Sequence, residues 1–160
     1  METIRIRTLT QQEPFPLALL LEADPEEALV KDYMKRSICF VAEKDGATAG
    51  VCALLPTRPG TVELVNIAVT EVYQRMGIGR QLIAHAIRFA SEKDFYTMEV
   101  GTGNSSIGPL AFYQKCGFRI TGVERDFFTN RYAEPIIENG IRCHDMVRLS
   151  LDLQGYKENQ

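Results

Sequence analysis

Residues 62–100 contain the pattern that most restricts the fold of this chain. The run from Val62 to Val69 is apolar and strand-like, and a short polar segment separates it from two glycines, Gly77 and Gly79. An amphipathic helix follows, and Phe95 to Val100 is the next strand-like run. The apolar stripe of the helix consists of Leu82, Ile83, Ala86, Ile87 and Ala90. These runs predict a βαβ unit, whose two strands we expect to be parallel.

The glycine loop at the start of that helix predicts a binding site for a diphosphate. It consists of Gln74, Arg75, Met76, Gly77, Ile78, Gly79 and Arg80. The free N–H groups and the dipole of a helix favour an anion at its N-terminus. A dinucleotide-binding loop would need a third glycine where Leu82 stands, and no Walker A pattern occurs in the chain. A turn that only caps the helix is the alternative interpretation.

Three segments, in the expected order and spacing, resemble the GCN5-related N-acetyltransferase (GNAT) superfamily. Residues 74–79 match its pyrophosphate loop, in which Gln or Arg is followed by two glycines at fixed spacing. Asn104 stands at the start of the next helix, as in the family. Ala111 to Phe118 is similar to the family's segment with adjacent Phe and Tyr before Gly-Phe. The resemblance covers residues 62–126.

The resemblance implies an α/β fold of α+β type, with a mixed central sheet of about seven strands and flanking helices. We expect one domain over residues 1–160 with a cofactor-binding core at about 62–126. In such a fold, strands 62–69 and 95–100 splay apart at their C-terminal ends, and the pantetheine arm of acetyl-CoA enters the gap.

The same resemblance assigns the contacts with acetyl-CoA. Backbone groups of Asn66, Ile67, Ala68 and Val69 would pair with the pantetheine arm. Gln74 belongs to the loop whose N–H groups, from residues 75–80, would hold the diphosphate, with Arg75 and Arg80 adding positive charge. Asn104 would hydrogen-bond the pantetheine arm, and a residue of a helix-entry turn is its alternative role. Ser105 and Ser106 are more typical of helix N-caps than of ligands.

Two residues are candidates for acid–base catalysis of acetyl transfer. Tyr113 resembles the family's general acid, and a tyrosine packed in the core is the alternative. Glu63 resembles the base of the histone-acetylating branch, and we expect a raised pKa if it is partly buried. An exposed strand carboxylate is the alternative. Simple alternation puts Glu63 on the face of Val65, Ile67 and Val69 unless a bulge intervenes. Glu99 on the neighbouring strand is a weaker base candidate.

The resemblance implies a direct transfer of the acetyl group to a primary amine of a small molecule or protein in a ternary complex. A non-catalytic acyl-CoA-binding module and a nucleotide-binding regulatory domain are the rival interpretations. Acidic and tyrosine side chains after residue 126 are candidates for the acceptor pocket, although a solvated loop is favoured: Tyr132, Glu134 and Glu138. His144 and Asp145 are interpreted as structural.

The composition of the chain limits the kinds of binding partner and the cellular location that we expect. The 160 residues carry a formal net charge of −3, which argues against general nucleic-acid binding and fits a cationic substrate. No apolar run approaches a membrane span, and the first residues lack a signal core, so we expect a cytoplasmic protein. Four dispersed cysteines indicate reduced thiols, and two distant histidines argue against a metal site. Relatives of this type frequently dimerise, so a homodimer is possible.

The remaining elements are predicted from local patterns. Asp24 is expected as the N-cap of a helix over residues 25–36, and Asp45-Gly46 is expected to turn a hairpin. We expect Gly117 to end a helix over residues 106–116, with inward Ile107, Leu110, Ala111 and Tyr113. Strands are predicted at residues 4–7, 38–43, 49–55, 118–123 and 141–153, a helix at 14–22, and a loop with partial strand character at 127–140.

Overall fold

The computed structural model of the protein describes residues 3–158, and side-chain surroundings up to residue 155. The strands are β1 Arg5–Thr8, β2 Ile38–Lys44, β3 Ala47–Arg58, β4 Thr61–Val69, β5 Thr97–Gly103, β6 Arg119–Glu124, β7 Ile137–Glu138, β8 Ile141–Arg142 and β9 Met146–Asp152. The helices are α1 Leu17–Ala23, α2 Glu27–Met34, α3 Ile78–Glu92, α4 Ile107–Lys115, α5 Phe127–Arg131 and α6 Leu153–Glu158. A short 3₁₀ helix spans Glu71–Tyr73.

A mixed sheet of seven strands organises the described residues, in the order β1-β2-β3-β4-β5-β9-β6. Its neighbouring strands are antiparallel except β4 and β5, which are parallel and joined through α3. The predicted βαβ unit and the mixed sheet of about seven strands are therefore confirmed. The hairpin turn is also confirmed, because Asp45 and Gly46 both have positive φ, at 56° and 76°.

Apolar side chains from the helices cover both faces of the sheet. On one face, the five-residue stripe predicted for α3 is buried against β3 and β4 together with Tyr113 of α4. On the other face, α1 and α2 pack Leu20 and Val30 against Val51 and Ala53 of β3. Because the sheet is covered on both faces, a ligand that reaches its centre must enter where strands separate.

Several local predictions were wrong in detail. Asp24 is the C-cap of α1, and Glu26 is the N-cap of α2. The region 127–140 contains the short helix α5 and the strand β7, which pairs with β8. The predicted closing strand at 141–153 is divided into β8 and β9. Ile107 is 51 % exposed and Ala111 is exposed, so only part of the expected inward face of α4 is buried.

Three glycines lie near the ends of α4 and β5. Gly117 has φ of 103° directly after α4, as expected for a residue that ends a helix. Gly101 and Gly103 belong to β5, which is therefore longer than predicted.

Within residues 3–158 no helix is both long and apolar enough to span a bilayer.

Candidate active site

A cleft of about 540 Å³ opens where β4 and β5 separate. The two parallel strands pair only from Thr61–Thr97 to Leu64–Val100. Beyond that point β4 continues to Val69 and β5 continues to Gly103 without mutual pairing, while β5 stays paired with β9. The unpaired segment of β4 leaves backbone N–H and C=O groups that a ligand could bind. The predicted splay of these strands is therefore present in the structure.

Five of the residues predicted to bind the cofactor line this cleft: Asn66, Ile67, Ala68, Val69 and Gln74. The Nε2 group of Gln74 donates a hydrogen bond to the carbonyl oxygen of Val69 at 3.0 Å. This bond ties the glycine loop to the end of β4. The loop and the cleft are therefore parts of one site.

The glycine loop places the first turn of α3 beside the cleft. Arg75 and Gly77 have positive φ values of 66° and 80°, and α3 begins at Ile78. The first N–H groups of a helix have no acceptor inside it, so they are available to an anion. The side chains of Arg75, Met76 and Arg80 are exposed around this turn. Such a helix start can hold a diphosphate.

The two glycines of the loop serve different purposes. Gly77 needs its left-handed conformation, and a Cβ there would meet no atom within 4 Å. Gly79 has no positive φ, and its Cβ would only make an ordinary contact of 3.4 Å with Phe112. The protein itself therefore does not require glycine at position 79.

Tyr113 lines the cleft from α4. Its side chain is 8 % exposed, and its ring packs against Phe112 and Phe118. Burial raises the pKa of the Tyr113 hydroxyl above its ordinary value. The phenol therefore keeps its proton at neutral pH, as a general acid must before it donates.

Glu63 lies in a separate pocket of about 430 Å³, whose lining residues do not include Tyr113. A bulge in β4 causes this arrangement: Ala53 pairs with Asn66 and Leu54 with Leu64, which leaves Val65 as the extra residue. Glu63 therefore shares the α1/α2 face with Val65 and Asn66, whereas Ile67 and Val69 pack on the opposite face. The bulge overrides simple alternation.

The surroundings of Glu63 combine burial with an ion pair. Burial raises the pKa of its carboxyl group, and the cation of Arg148, 3.5 Å away, opposes that rise. Glu99 stands opposite Glu63 on the parallel strand and is paired with Arg58 at 3.2 Å. Both candidate bases are thus in the second pocket. The catalytic role of either carboxylate stays a prediction.

The side chain of Asn104 makes three hydrogen bonds within the chain. Its Oδ1 accepts hydrogen bonds from the N–H groups of His144 and Asp145, at 2.8 and 3.0 Å, and its Nδ2 donates to the carbonyl oxygen of Arg142 at 3.1 Å. Asn104 does not line the cleft. These contacts fix the segment between β8 and β9, and the contact of Asn104 with pantetheine stays a prediction.

The serines that follow Asn104 also differ from expectation. Ser106 is at the N-cap position of α4, but its side chain makes no capping bond. Instead, the hydroxyls of Ser105 and Ser106 donate to the carboxylate of Glu138 at 3.1 and 2.8 Å. Glu138 therefore ties β7 to the start of α4, at the wall of the cleft.

A polar group at the α1/α2 end of the cleft was missed by sequence reasoning. The carboxylate of Asp24 accepts hydrogen bonds from the hydroxyls of Tyr33 and Tyr132. Asn66 donates to the same Tyr33 hydroxyl. Asp24 and Tyr33 are nine residues apart, but Asn66 and Tyr132 come from distant parts of the chain, so no local pattern joins the four residues. Tyr132 was among the candidates for the acceptor pocket and Asn66 was a predicted cofactor contact, whereas Asp24 and Tyr33 were not expected at the site.

The described residues contain no candidate metal centre. No group of three or more His, Cys, Asp or Glu side chains is arranged to hold a metal ion. Cys39, Cys52, Cys116 and Cys143 are free thiols, and all but Cys116 are buried. Burial of Cys39 and Cys52 agrees with their prediction as small core residues.

Comparisons with known proteins place this geometry in context. The family model "Acetyltransferase (GNAT) family" matches residues 5–118. The uncharacterized N-acetyltransferase YvbK of Bacillus subtilis (strain 168) is 50 % identical over 153 residues, which are 96 % of this chain and 99 % of YvbK.

Two solved structures are similar over nearly the whole chain. A GNAT family acetyltransferase from Elizabethkingia anophelis with acetyl-CoA bound has a TM-score of 0.91 and 42 % identity, over 93 % of this chain and 97 % of its own. A Bacillus subtilis acetyltransferase in complex with CoA has a TM-score of 0.88 and 49 % identity, over 94 % and 99 % of the two chains. These relatives confirm the predicted enzyme class, an acetyl-CoA-dependent N-acetyltransferase. The protein therefore belongs to the GNAT family of acetyltransferases.

Proposed function

We propose that the protein transfers the acetyl group of acetyl-CoA directly to a primary amine while both are bound. One observation carries this proposal: a single cleft connects Gln74 of the glycine loop, Tyr113 and the α1/α2 end. Bound acetyl-CoA in the Elizabethkingia relative supports the assignment of one part of the cleft to the thioester. The α1/α2 end then lies open to the acceptor. Two reactants held in one cleft need no acetyl-enzyme intermediate.

The chain offers groups for the two proton transfers of the reaction. Deprotonating a lysine-like amine at pH 7 costs roughly 4–5 kcal/mol. Glu63 is the proposed base, and it would act through water because it lies in the second pocket. As the nitrogen–carbon bond forms and the carbon–sulfur bond breaks, the Tyr113 hydroxyl donates its proton to the leaving sulfur. A positioned acid or base of this kind typically contributes about 10²–10⁴ in rate.

The proposed cofactor contacts follow the shape of the site. Backbone groups of residues 66–69 would pair with the pantetheine amides, because β4 has lost β5 as a partner there. The N–H groups of residues 75–80 would hold the diphosphate, and Arg75 and Arg80 would add charge. The absence of an internal reason for glycine at position 79 supports this contact.

Initial-rate kinetics with acetyl-CoA and an amine test the direct mechanism. Double-reciprocal lines that intersect are expected for a ternary complex, whereas parallel lines would indicate a ping-pong mechanism with an acetyl-enzyme. Titration of the protein with CoA in a calorimeter tests the cofactor site independently. Absence of binding at millimolar CoA would contradict the whole proposal.

A non-catalytic acyl-CoA-binding module is the second candidate. The one observation in its favour is that neither candidate base lines the cleft with Tyr113. It predicts CoA binding without thiol release in the presence of any amine. A cytoplasmic location and a homodimer belong to the same proposal as the enzymatic function; they rest on composition and on the family resemblance.

A further inference from the structure

The α1/α2 end of the cleft has a strongly one-sided charge. Glu22 and Asp24 line it, and Glu138 lines the adjoining wall. Among the described residues that line the cleft, none is a lysine, an arginine or a histidine. The potential in this part of the cleft is therefore negative, and an acceptor with a carboxylate near its amine would be repelled.

Asp24 is held in place by neutral donors. The Tyr132 hydroxyl donates to Oδ1 at 2.9 Å and the Tyr33 hydroxyl donates to Oδ2 at 3.2 Å. The N–H group of Glu26 adds a longer bond of 3.3 Å. Burial and the nearby Asp24 charge raise the pKa of both tyrosines, so they remain uncharged donors. Within residues 3–155 no side-chain cation pairs with Asp24, and its charge is oriented without being neutralised.

Asn66 supplies an independent sign of a ligand at the same end. Its side chain lines the cleft with only 4 % exposure of the residue. Nδ2 donates to the carbonyl oxygen of Leu20 at 3.0 Å and to Tyr33 at 2.9 Å, which fixes the orientation of the amide. Oδ1 is buried and has no hydrogen-bond partner among the described residues. Buried acceptors are normally satisfied, and an N–H donor of a ligand in the cleft would satisfy this oxygen.

The reaction itself decides which positive group belongs beside Asp24. The attacking amine must lose its proton, and a neighbouring carboxylate would raise the pKa of that amine and oppose the loss. A second ammonium group that stays charged throughout the reaction has no such conflict. Asp24 therefore suits a distal cation better than the reacting amine.

We infer that the acceptor is an aliphatic amine with a second ammonium group, held by Asp24 and by Oδ1 of Asn66. This inference rests on the proposed acetyl transfer and names its substrate class. Asp24 is then the residue that selects a dicationic acceptor over a neutral or zwitterionic one.

Three acceptors of equal chain length test the inference at saturating acetyl-CoA: cadaverine, the matching amino alcohol and the matching amino carboxylate. For the unaltered protein we expect kcat/KM to be about tenfold higher for cadaverine than for the amino alcohol, and lowest for the amino carboxylate. Asp24→Asn should remove the preference for cadaverine over the amino alcohol, because the carboxylate that pairs with the second ammonium group is lost. Asp32→Asn is the matched control, because Asp32 is exposed on α2 and paired with Arg36.

Salt provides a second measurement that needs no variant. Raising the ionic strength should lower kcat/KM for cadaverine more than for the amino alcohol, since only cadaverine has the second ammonium group that pairs with Asp24. Equal preference for the three acceptors, or an Asp24→Asn protein with the original preference, would overturn the inference while acetyl transfer itself stood. Transfer to none of them by a protein that binds CoA would also overturn it. Loss of CoA binding in the unaltered protein would instead contradict the proposed function.

Discussion

The guanidinium of Arg148 lies 3.5 Å from the carboxylate of Glu63, in a pocket whose lining excludes Tyr113. The candidate base and the candidate acid are therefore on opposite faces of the sheet, separated by the strands that diverge at the cleft. Any proton relay from the acceptor amine to Glu63 must pass along the α1/α2 face. The proposed base and the proposed acid can therefore be tested separately, by the kinetics of variants that change one residue at a time.

Replacing Glu63 by Gln tests the proposed base. We expect kcat to fall by about 10²–10⁴, because the amine would lose its proton acceptor. Glu99→Gln is the matched control in the same pocket and should change kcat by less than about threefold if Glu63 alone is the base. An E63Q protein with unaltered kcat would remove Glu63 from the mechanism.

The melting temperature of the E63Q protein separates catalysis from folding. Burial raises the pKa of Glu63 in the folded state, so its neutral form is favoured there. Its favourable contribution to stability is present below the ordinary carboxyl pKa and is lost as pH rises through the raised value. Neutral glutamine should therefore not lower the melting temperature at pH 7.

Arg148→Met tests the electrostatic control of Glu63. Arg148 lowers the pKa of Glu63, whereas burial, Glu99 and Glu124 raise it. A base must be ionised to work, so removing the cation should move the acid limb of the kcat/KM–pH profile to higher pH. Arg131→Met is the control, since Arg131 pairs with Glu124 at 3.3 Å but not with Glu63. An acid limb that stays in place or moves to lower pH would contradict the role of the ion pair.

Tyr113→Phe removes the proposed acid and keeps the packed ring. We expect kcat to fall by about 10²–10⁴ with CoA affinity unchanged, because only the hydroxyl that protonates the sulfur is lost. Burial raises the pKa of Tyr113, so the unaltered enzyme should show no loss of rate from its deprotonation below about pH 10. Tyr96→Phe, at an exposed position, serves as the control. Full turnover by the Y113F protein would favour a tyrosine that is only packed in the core.

Alanine at each loop glycine should produce opposite effects. Gly79→Ala should weaken CoA binding by about tenfold or more, because a Cβ would stand beside the N–H groups of the helix start, while helix propensity holds or raises the melting temperature. Gly77→Ala should lower the stability by about 1–2 kcal/mol, because φ at this position is +80°. Calorimetry with CoA and thermal unfolding of both variants provide the measurement. Unchanged CoA affinity in G79A would argue against the diphosphate site.

Asn104→Ala separates a structural role from a ligand contact. Three hydrogen bonds to the segment 142–145 would be lost, and we expect the free energy of unfolding to fall by roughly 2–3 kcal/mol. CoA affinity of the folded protein should change by less than about threefold. Asn130→Ala, at an exposed position of α5, is the control in chemical denaturation. A stable N104A protein that binds CoA poorly would support the contact with the pantetheine arm that the family resemblance implies.

The sequence by itself determined the βαβ unit, the glycine loop and the buried Tyr113. These features depend on residues close together in the chain: a strand pattern, a turn with special φ and a helical stripe each follow from local periodicity and sterics. Three motif segments in the expected order and spacing indicated the family, and that resemblance implied the mixed sheet.

Only the tertiary structure decided the face on which Glu63 lies and the partners of Asn104 and Asp24. The single extra residue Val65 reverses the alternation of β4, and its position depends on the register with β3. Asp24 meets Tyr132 across 108 residues of chain, and Asn104 meets the segment before β9. Contacts of this kind are set by how the packed elements meet, because a polar side chain takes whichever buried partner the fold brings within reach.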